Sequence, residues 1–149
     1  MKILFNEHPN KGFQRVGYCS YYGEIFYALE EVCEVTSSCG VPSRTSEFGS
    51  GYDAIVMGFG HTDCGDAGPM ETINDNNIPL FPILNKEYTG LKQKLEWIKN
   101  MKPTAALTVH HDTEEYSKIT GVPFHRIMWS ANENLFKDYL CWGDTNESK

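Results

Sequence analysis

Hydrophobic and polar positions alternate along this chain in blocks, and the second half repeats one unit: a short apolar segment, a polar break and an amphipathic stretch. The apolar segments are predicted to be β-strands, since they are short, rich in branched residues and bounded by Gly, Pro or polar clusters. They are Lys2–Asn6, Tyr52–Phe59, Ile78–Leu84, Thr104–Val109 and Phe124–Trp129. The more polar segment Glu34–Ser38 is predicted to be a weak second strand. Strands that alternate with helices predict a parallel sheet.

Helices are predicted between these strands from apolar residues at helical spacing. One begins near Ser20 and has a stripe formed by Tyr22, Ile25, Phe26, Leu29 and Val32. A second has the inner stripe Leu91, Leu95, Ile98 and Met101, with Lys92, Lys94, Glu96 and Lys99 pointing outward and Pro103 beyond its end.

A short third helix is predicted between an acidic cap and a glycine stop. Asp112 is expected to be its N-cap, and Gly121 supplies the left-handed stop. A capping signal at Ser130–Glu133 predicts a last helix. The predicted fold is α/β: a three-layer Rossmann-like domain over residues 1–140, with helices on both faces of a parallel sheet in the order 3-2-1-4-5-6. Residues 141–149 are predicted to be a polar tail.

Composition narrows the function classes. The 149 residues fit one domain, and the net charge of −7 without a basic cluster argues against nucleic acid as a partner. No run approaches the roughly 20 apolar residues of a membrane span, and the start of the chain does not resemble a secretion signal. The five cysteines include no Cys-x-x-Cys pair, which favours reduced thiols. We therefore expect a soluble, cytoplasmic protein.

Polar and ionisable residues follow several strands at the point where each strand ends. In open α/β sheets ligands bind at the carboxyl ends of the strands, so these residues are the candidates for a site. The predicted catalytic residues are His61, Lys86, Glu87 and His110. The predicted acceptor- or phosphate-binding residues are His8, Gly12, Arg15, Gly17, Asp63 and His111.

Each candidate also has a purely structural interpretation. For His110 and His111 the alternatives are a role that faces a ligand and a hydrogen bond to backbone at the edge of the core. Successive side chains on an extended strand diverge, so at most one of His110 and His111 is expected to face a ligand. Lys86 and Glu87 are also common at exposed helix starts, and the Gly12–Gly17 segment matches neither a dinucleotide fingerprint nor a phosphate-binding loop.

Four segments together resemble the N-terminal half of a GT-B glycosyltransferase, in the group-1, spore-maturation-protein-like branch. They are Tyr52–Gly58, Ile78–Glu87, Thr108–Asp112 and Ile127–Phe136, and the resemblance covers nearly the whole chain. It implies an acceptor-binding domain that takes a carbohydrate or glycoconjugate acceptor, with a nucleotide sugar as co-substrate and no tightly bound cofactor. The donor-binding half has no counterpart in this sequence, so a donor-domain partner or a missing C-terminal half is implied.

Two other functions remain open from the sequence. One is a non-catalytic, flavodoxin-like module that binds a small ligand or a partner protein, because fold alone does not separate binding from catalysis. The other is a small metal hydrolase that uses His61, Asp63 and His110. Only His61 and Asp63 have a spacing that is usual for metal ligands, and no metal ligands are assigned.

Overall fold

The computed structural model describes residues 1–7, 21–39, 43–57, 73–84 and 89–127. Within these ranges six strands form one sheet, all neighbouring pairs being parallel. The strands are β1 (Lys2–Glu7), β2 (Glu34–Cys39), β3 (Ala54–Met57), β4 (Leu80–Leu84), β5 (Ala106–Thr108) and β6 (Phe124–Arg126). The α-helices are α1 (Tyr21–Glu30), α2 (Leu91–Met101) and α3 (Thr113–Thr120).

The helices cover both faces of the sheet, as predicted. Side chains alternate across each strand, so Ile3 and Phe5 of β1 pack with Phe26 of α1 on one face. Leu4 belongs to the cluster on the other face, which contains Ile98 of α2 and further residues of α2 and α3. The predicted three-layer α/β class is therefore confirmed.

The strand order is 2-1-3-4-5-6, and the predicted order 3-2-1-4-5-6 is wrong for the position of β3. β3 lies between β1 and β4 and not outside β2. All four residues of β3 are buried, whereas β2 carries polar residues and is only partly covered. A continuous apolar strand requires cover on both faces, so β3 is suited to the centre and β2 to an edge.

The start of β3 is also fastened directly to β1. The Asp53 carboxylate accepts a hydrogen bond from the backbone N–H of Lys2 at 2.6 Å, and the Asp53 N–H donates to the Lys2 carbonyl at 2.8 Å. These two bonds join the amino ends of neighbouring strands and set their register.

The predicted apolar stripe of helix α2 is confirmed, but the predicted outward position of Lys94 is wrong. Leu95, Ile98 and Met101 are buried, and Lys94 is fully buried beside them instead of pointing outward. Residue 94 lies four residues before Ile98, so helical geometry places it on the inner face. Burial of an ammonium group is costly unless the group is paired, and Lys94 is not without an interaction.

Helix α1 begins at Tyr21, close to the predicted start, and its stripe is shorter than predicted. Phe26 is buried and Ile25 and Leu29 are partly buried, whereas Val32 is 78% exposed because the helix ends at Glu30. The side chain of Tyr22 lies outside the part of the structure that is described.

The connection from β2 to β3 is held by a polar cluster that the sequence did not predict. The Thr45 side chain is fully buried, and its hydroxyl lies 2.7 Å from Oδ1 of Asn76. The Asp75 carboxylate accepts bonds from the Ser46 hydroxyl at 2.6 Å and from the Ser46 N–H at 2.9 Å. These contacts fasten residues 43–48 to residues 73–78, so a chain segment rich in Ser and Gly has a defined path beside the sheet.

Hydrogen bonds from the Ser46 side chain and backbone lower the pKa of Asp75 from its ordinary value of 3.8. A depressed pKa in the folded state stabilises the protein above the unfolded-state pKa, and this contribution disappears as the pH falls through the folded-state pKa. We expect Asp75→Asn to lower stability near neutral pH. The difference from the parent protein should shrink below pH 3.8 and disappear once the pH is below the lower pKa of the folded state. Urea unfolding at a series of pH values measures this. Glu96→Gln, on the exposed face of α2, is the control, and an unchanged difference between Asp75→Asn and the parent at all pH values would contradict the expectation.

Helix α3 ends at Gly121, as predicted. Gly121 has φ 72°, and its N–H donates to the Ser117 carbonyl at 2.9 Å. A β-carbon at this position would meet no neighbouring atom, so only the backbone conformation opposes a side chain.

We expect Gly121→Ala to lower the free energy of unfolding by about 1–2 kcal/mol, the cost of the left-handed conformation for a residue with a side chain. Chemical denaturation measures this change. Lys118→Ala, in the exposed last turn of the same helix, should have little effect.

Candidate functional site

The predicted site residues follow the carboxyl ends of four neighbouring strands. Because the sheet is parallel, the segments after β1, β3, β4 and β5 all start at the same edge of the sheet. Two of the predicted residues, His110 and His111, are described by the structure. The others lie outside the described residues, and their assignment stays a prediction: His8, Gly12, Arg15, Gly17, His61, Asp63, Lys86 and Glu87.

The strand order reverses between β1 and β3, which are neighbours in the sheet. Connections leave these two strands in opposite directions across the sheet, and in open α/β sheets ligands bind at such a reversal of strand order. Asn6 is paired with Met57 there and is fully buried. A buried polar side chain near the end of this interior strand is a feature that the apolar pattern of β1 did not single out.

His110 is held in place by the end of β5. Its backbone N–H donates to the hydroxyl of Thr108 at 3.1 Å, and Thr108 is fully buried at the last position of the strand. The Thr108 carbonyl accepts the N–H of Ile127, just beyond β6, at 2.7 Å. The backbone before His110 is therefore fixed to the sheet, while 42% of its side chain remains exposed.

Asp112 lies at the predicted N-cap of α3, but its carboxylate does not cap the helix. It makes no side-chain capping bond, and its Oδ2 lies 3.1 Å from Nδ1 of His110. A capping carboxylate would accept a backbone N–H in the first turn of the helix. The carboxylate of Asp112 is directed to the imidazole ring instead, so a role as helix N-cap does not account for this side chain.

Tyr116, one turn into α3, forms the third part of this cluster. Its hydroxyl lies 3.3 Å from the same Nδ1 of His110, and the two rings are stacked with centroids 6.0 Å apart. Tyr116 is buried and makes an edge contact with Phe124 of β6 at 5.5 Å. The contact with Phe124 therefore restricts the orientation of the tyrosine ring. The sequence signal for this residue is its spacing four residues after Asp112, which places both on one face of the helix start.

The two adjacent histidines lie side by side, and the prediction that their side chains diverge is wrong. The ring centroids of His110 and His111 are 5.4 Å apart with an interplanar angle of 37°. Both residues follow the end of β5 in a bend, so the alternation of an extended strand does not apply to them. His111 is exposed, and both imidazoles border the same region of the surface.

The geometry of His110, Asp112 and Tyr116 is suited to proton transfer. A carboxylate beside Nδ1 favours the tautomer in which Nδ1 carries the proton and Nε2 has the lone pair. The described residues supply no hydrogen-bond partner for Nε2. In that tautomer Nε2 is able to accept a proton from a bound hydroxyl group.

Metal chemistry is not supported by the side chains in the described ranges. Within them no group of three or more His, Cys, Asp and Glu residues is arranged to hold a metal ion. The metal hydrolase hypothesis depends on His61 and Asp63, which lie outside these ranges.

A separate groove of about 510 Å³ lies between α2 and α3. Its lining consists of Leu91, Lys92, Leu95, Glu96, Lys99, Asn100 and Ile119. Neither His110 nor His111 lines it, so this groove and the histidine cluster are different features. None of the helices within the described ranges is long and apolar enough to cross a membrane.

These features define the protein as a parallel α/β domain with a flavodoxin-like strand order and an Asp–His–Tyr cluster at the carboxyl edge of its sheet. No protein-family model, curated protein or solved structure matches the chain.

Proposed function

We propose that this chain is the acceptor-binding domain of a glycosyltransferase and that His110 accepts the proton of the acceptor hydroxyl. The observation that carries the proposal is the Asp112 carboxylate 3.1 Å from Nδ1 of His110 at the carboxyl edge of the sheet. The transferred group, a sugar from a nucleotide-sugar co-substrate, comes from the resemblance of the sequence to the acceptor side of GT-B enzymes.

On the acceptor side, sugar transfer requires a correctly oriented acceptor hydroxyl and a base that takes its proton. An acceptor hydroxyl is a weak nucleophile, and transfer of its proton to a base as the new bond to the sugar forms lowers the barrier. Asp112 stabilises the imidazolium that results, because its carboxylate lies against the protonated ring. The donor sugar and its leaving nucleotide would be bound by a second domain, which is a donor-domain partner of this chain or a C-terminal half.

The predicted loop residues have roles in this proposal that follow from their position after neighbouring strands. His61 and Asp63 follow β3, and Lys86 and Glu87 follow β4, so these residues and His110 are assigned to one groove at the carboxyl edge. His8, Gly12, Arg15 and Gly17 follow β1 and are assigned to contacts with the acceptor or with a phosphate. His111 borders His110 and is assigned to acceptor binding.

A cytoplasmic location is part of the proposal, and no tightly bound cofactor is required. Cysteine usage supports the location, because the sequence contains no Cys-x-x-Cys pair and Cys33 carries a free thiol.

A titration with carbohydrates tests the binding side of the proposal. We expect monosaccharides and disaccharides from a defined panel to shift the imidazole NMR signals of His110, and His110→Ala to abolish binding. The control is His125→Ala, since His125 is an exposed histidine on β6. A panel in which no sugar perturbs His110, or in which both variants bind equally, would overturn the proposal.

An assay of nucleotide release tests the assignment to half of a transferase. The isolated chain, incubated with nucleotide sugars and an acceptor that binds, should release no nucleotide. Turnover by the isolated chain would show that it is not merely the acceptor-binding half.

The second candidate is a non-catalytic, flavodoxin-like binding module, and the strand order favours it. The order 2-1-3-4-5 is that of flavodoxin-like domains, which bind their ligands where the order reverses, between β1 and β3. In this case ligand binding should centre on the ends of β1 and β3 and should be insensitive to His110→Ala. The same carbohydrate titration, extended to nucleotides and flavins, distinguishes the two candidates.

A further inference from the structure

A single nitrogen atom of His110 lies near two oxygen atoms, one of which only accepts hydrogen bonds while the other is also able to donate. Nδ1 lies 3.1 Å from the Asp112 carboxylate and 3.3 Å from the Tyr116 hydroxyl. An ionised carboxylate only accepts hydrogen bonds, so it pairs with Nδ1 when that nitrogen carries a proton. A tyrosine hydroxyl is able to donate, and it does so to Nδ1 when that nitrogen has a lone pair.

We propose that Tyr116 is a positioning residue that competes with Asp112 for Nδ1 and thereby switches His110 between two tautomers. When Tyr116 donates to Nδ1, the proton of the neutral ring is on Nε2, and the exposed side of His110 is a hydrogen-bond donor. When Asp112 accepts from Nδ1–H, Nε2 has the lone pair and is a base. Tyr116 touches the reaction only through His110.

The burial of Tyr116 makes this competition a fixed feature of the fold. The ring is 3% exposed, stacks on His110 and contacts the edge of Phe124, so its hydroxyl remains near Nδ1. Asp112 has an exposed side chain at the helix start, where it is able to approach or leave the imidazole. One partner of Nδ1 is therefore rigid, and the other is adjustable.

This switch deepens the proposed function and rests on it where the ligand is concerned. A bound hydroxyl that donates to Nε2 requires the Asp112-paired tautomer, so binding of a hydroxyl-bearing acceptor should draw His110 into its basic form. Without acceptor, the molecules in the Tyr116-paired tautomer have Nε2 protonated and unable to act as a base. The inferred regulation is thus a base that becomes available when the acceptor binds.

Long-range ¹H–¹⁵N NMR of the imidazole nitrogens tests the switch without any ligand. It assigns the proton of a neutral histidine ring to Nδ1 or to Nε2, and the spectrum of His110→Ala identifies the His110 signals. We expect the parent protein to contain both tautomers. Tyr116→Phe, which keeps the ring packing against Phe124, should lower the ratio of the Nε2–H to the Nδ1–H form roughly three- to tenfold, the effect of losing one neutral hydrogen bond. Asp112→Asn should change the ratio in the opposite direction.

The outcomes separate this inference from the proposed function. If Tyr116→Phe leaves the tautomer ratio of His110 unchanged, Tyr116 does not compete for Nδ1; if it raises the Nε2–H share, Tyr116 accepts from Nδ1–H. Either result shows that the inference is wrong. The signals of His125 provide the internal control, since that ring should not respond to either substitution. If the tautomers shift as expected but no carbohydrate alters them, the switch stands and the proposed acceptor chemistry fails.

Discussion

Replacement of Phe5 by alanine is expected to lower the free energy of unfolding by about 3–5 kcal/mol, the usual cost of deleting a buried aromatic ring. Phe5 is fully buried at the centre of β1, and its ring contacts the edge of Phe26 at a centroid distance of 5.7 Å. β1 lies between β2 and β3, so a cavity at this position weakens the layer between the sheet and α1. For a domain with a total stability of about 5–15 kcal/mol this is a large fraction.

Urea unfolding followed by circular dichroism measures this loss. Phe5→Leu keeps much of the volume and should cost less than about 1.5 kcal/mol. Val32→Ala is the surface control, because Val32 is 78% exposed and its truncation should change stability by no more than about 0.5 kcal/mol. A loss below 1 kcal/mol for Phe5→Ala would contradict the central position of β1 in the core.

The fold class was predictable because local patterns and burial agree in most elements. The apolar runs at Ala54–Met57 and Leu80–Leu84 became buried strands, and the stripe of α2 became its core face. The glycine stop of α3 was equally visible, since a left-handed conformation selects for Gly121. Strand order was predictable only in part. The continuous apolar pattern of β3 indicates an interior strand, but the identity of its neighbours depends on which faces the helices cover.

Charged residues were the main source of error. Lys94 was assigned to solvent by its charge, although its helical position places it beside Ile98. Asp112 was assigned to the helix cap by its residue type and position, yet its carboxylate contacts His110. In both cases the predicted position along the backbone is correct. The surroundings of the charged group could not be predicted, because they depend on tertiary structure.

The location of the candidate site was predictable from the sequence, but the contacts between its residues were not. Residues after the carboxyl ends of parallel strands share one edge of the sheet, so His110 could be identified from the sequence. The contribution of Tyr116 could not be identified from the sequence, because an aromatic residue on the inner face of a helix is sufficiently explained as part of the core. Its hydroxyl acquires a role only through the 3.3 Å distance to Nδ1, which depends on the bend between β5 and α3.

Asp112→Asn is expected to lower the rate of sugar transfer by about 10²–10⁴-fold, the usual contribution of general base catalysis. The amide loses the negative charge that favours a proton on Nδ1 and that stabilises the imidazolium of His110, so Nε2 is protonated more of the time and is a poorer base. Stability should change little, because the Asp112 side chain is 51% exposed and makes no capping bond. The rate is measured as nucleotide release from a nucleotide sugar when this chain is supplied together with a donor-binding domain.

The control for this prediction is a substitution with the opposite effect on the same nitrogen. Tyr116→Phe removes the competing donor and should leave the transfer rate unchanged or raise it, whereas His110→Gln should match or exceed the loss caused by Asp112→Asn. His125→Asn, on exposed β6, should have no effect. If Asp112→Asn is as active as His125→Asn, His110 is not the base. A loss of equal size in Asp112→Asn and Tyr116→Phe would mean instead that both partners only hold the ring in place, because competition for one proton requires their effects to differ in sign.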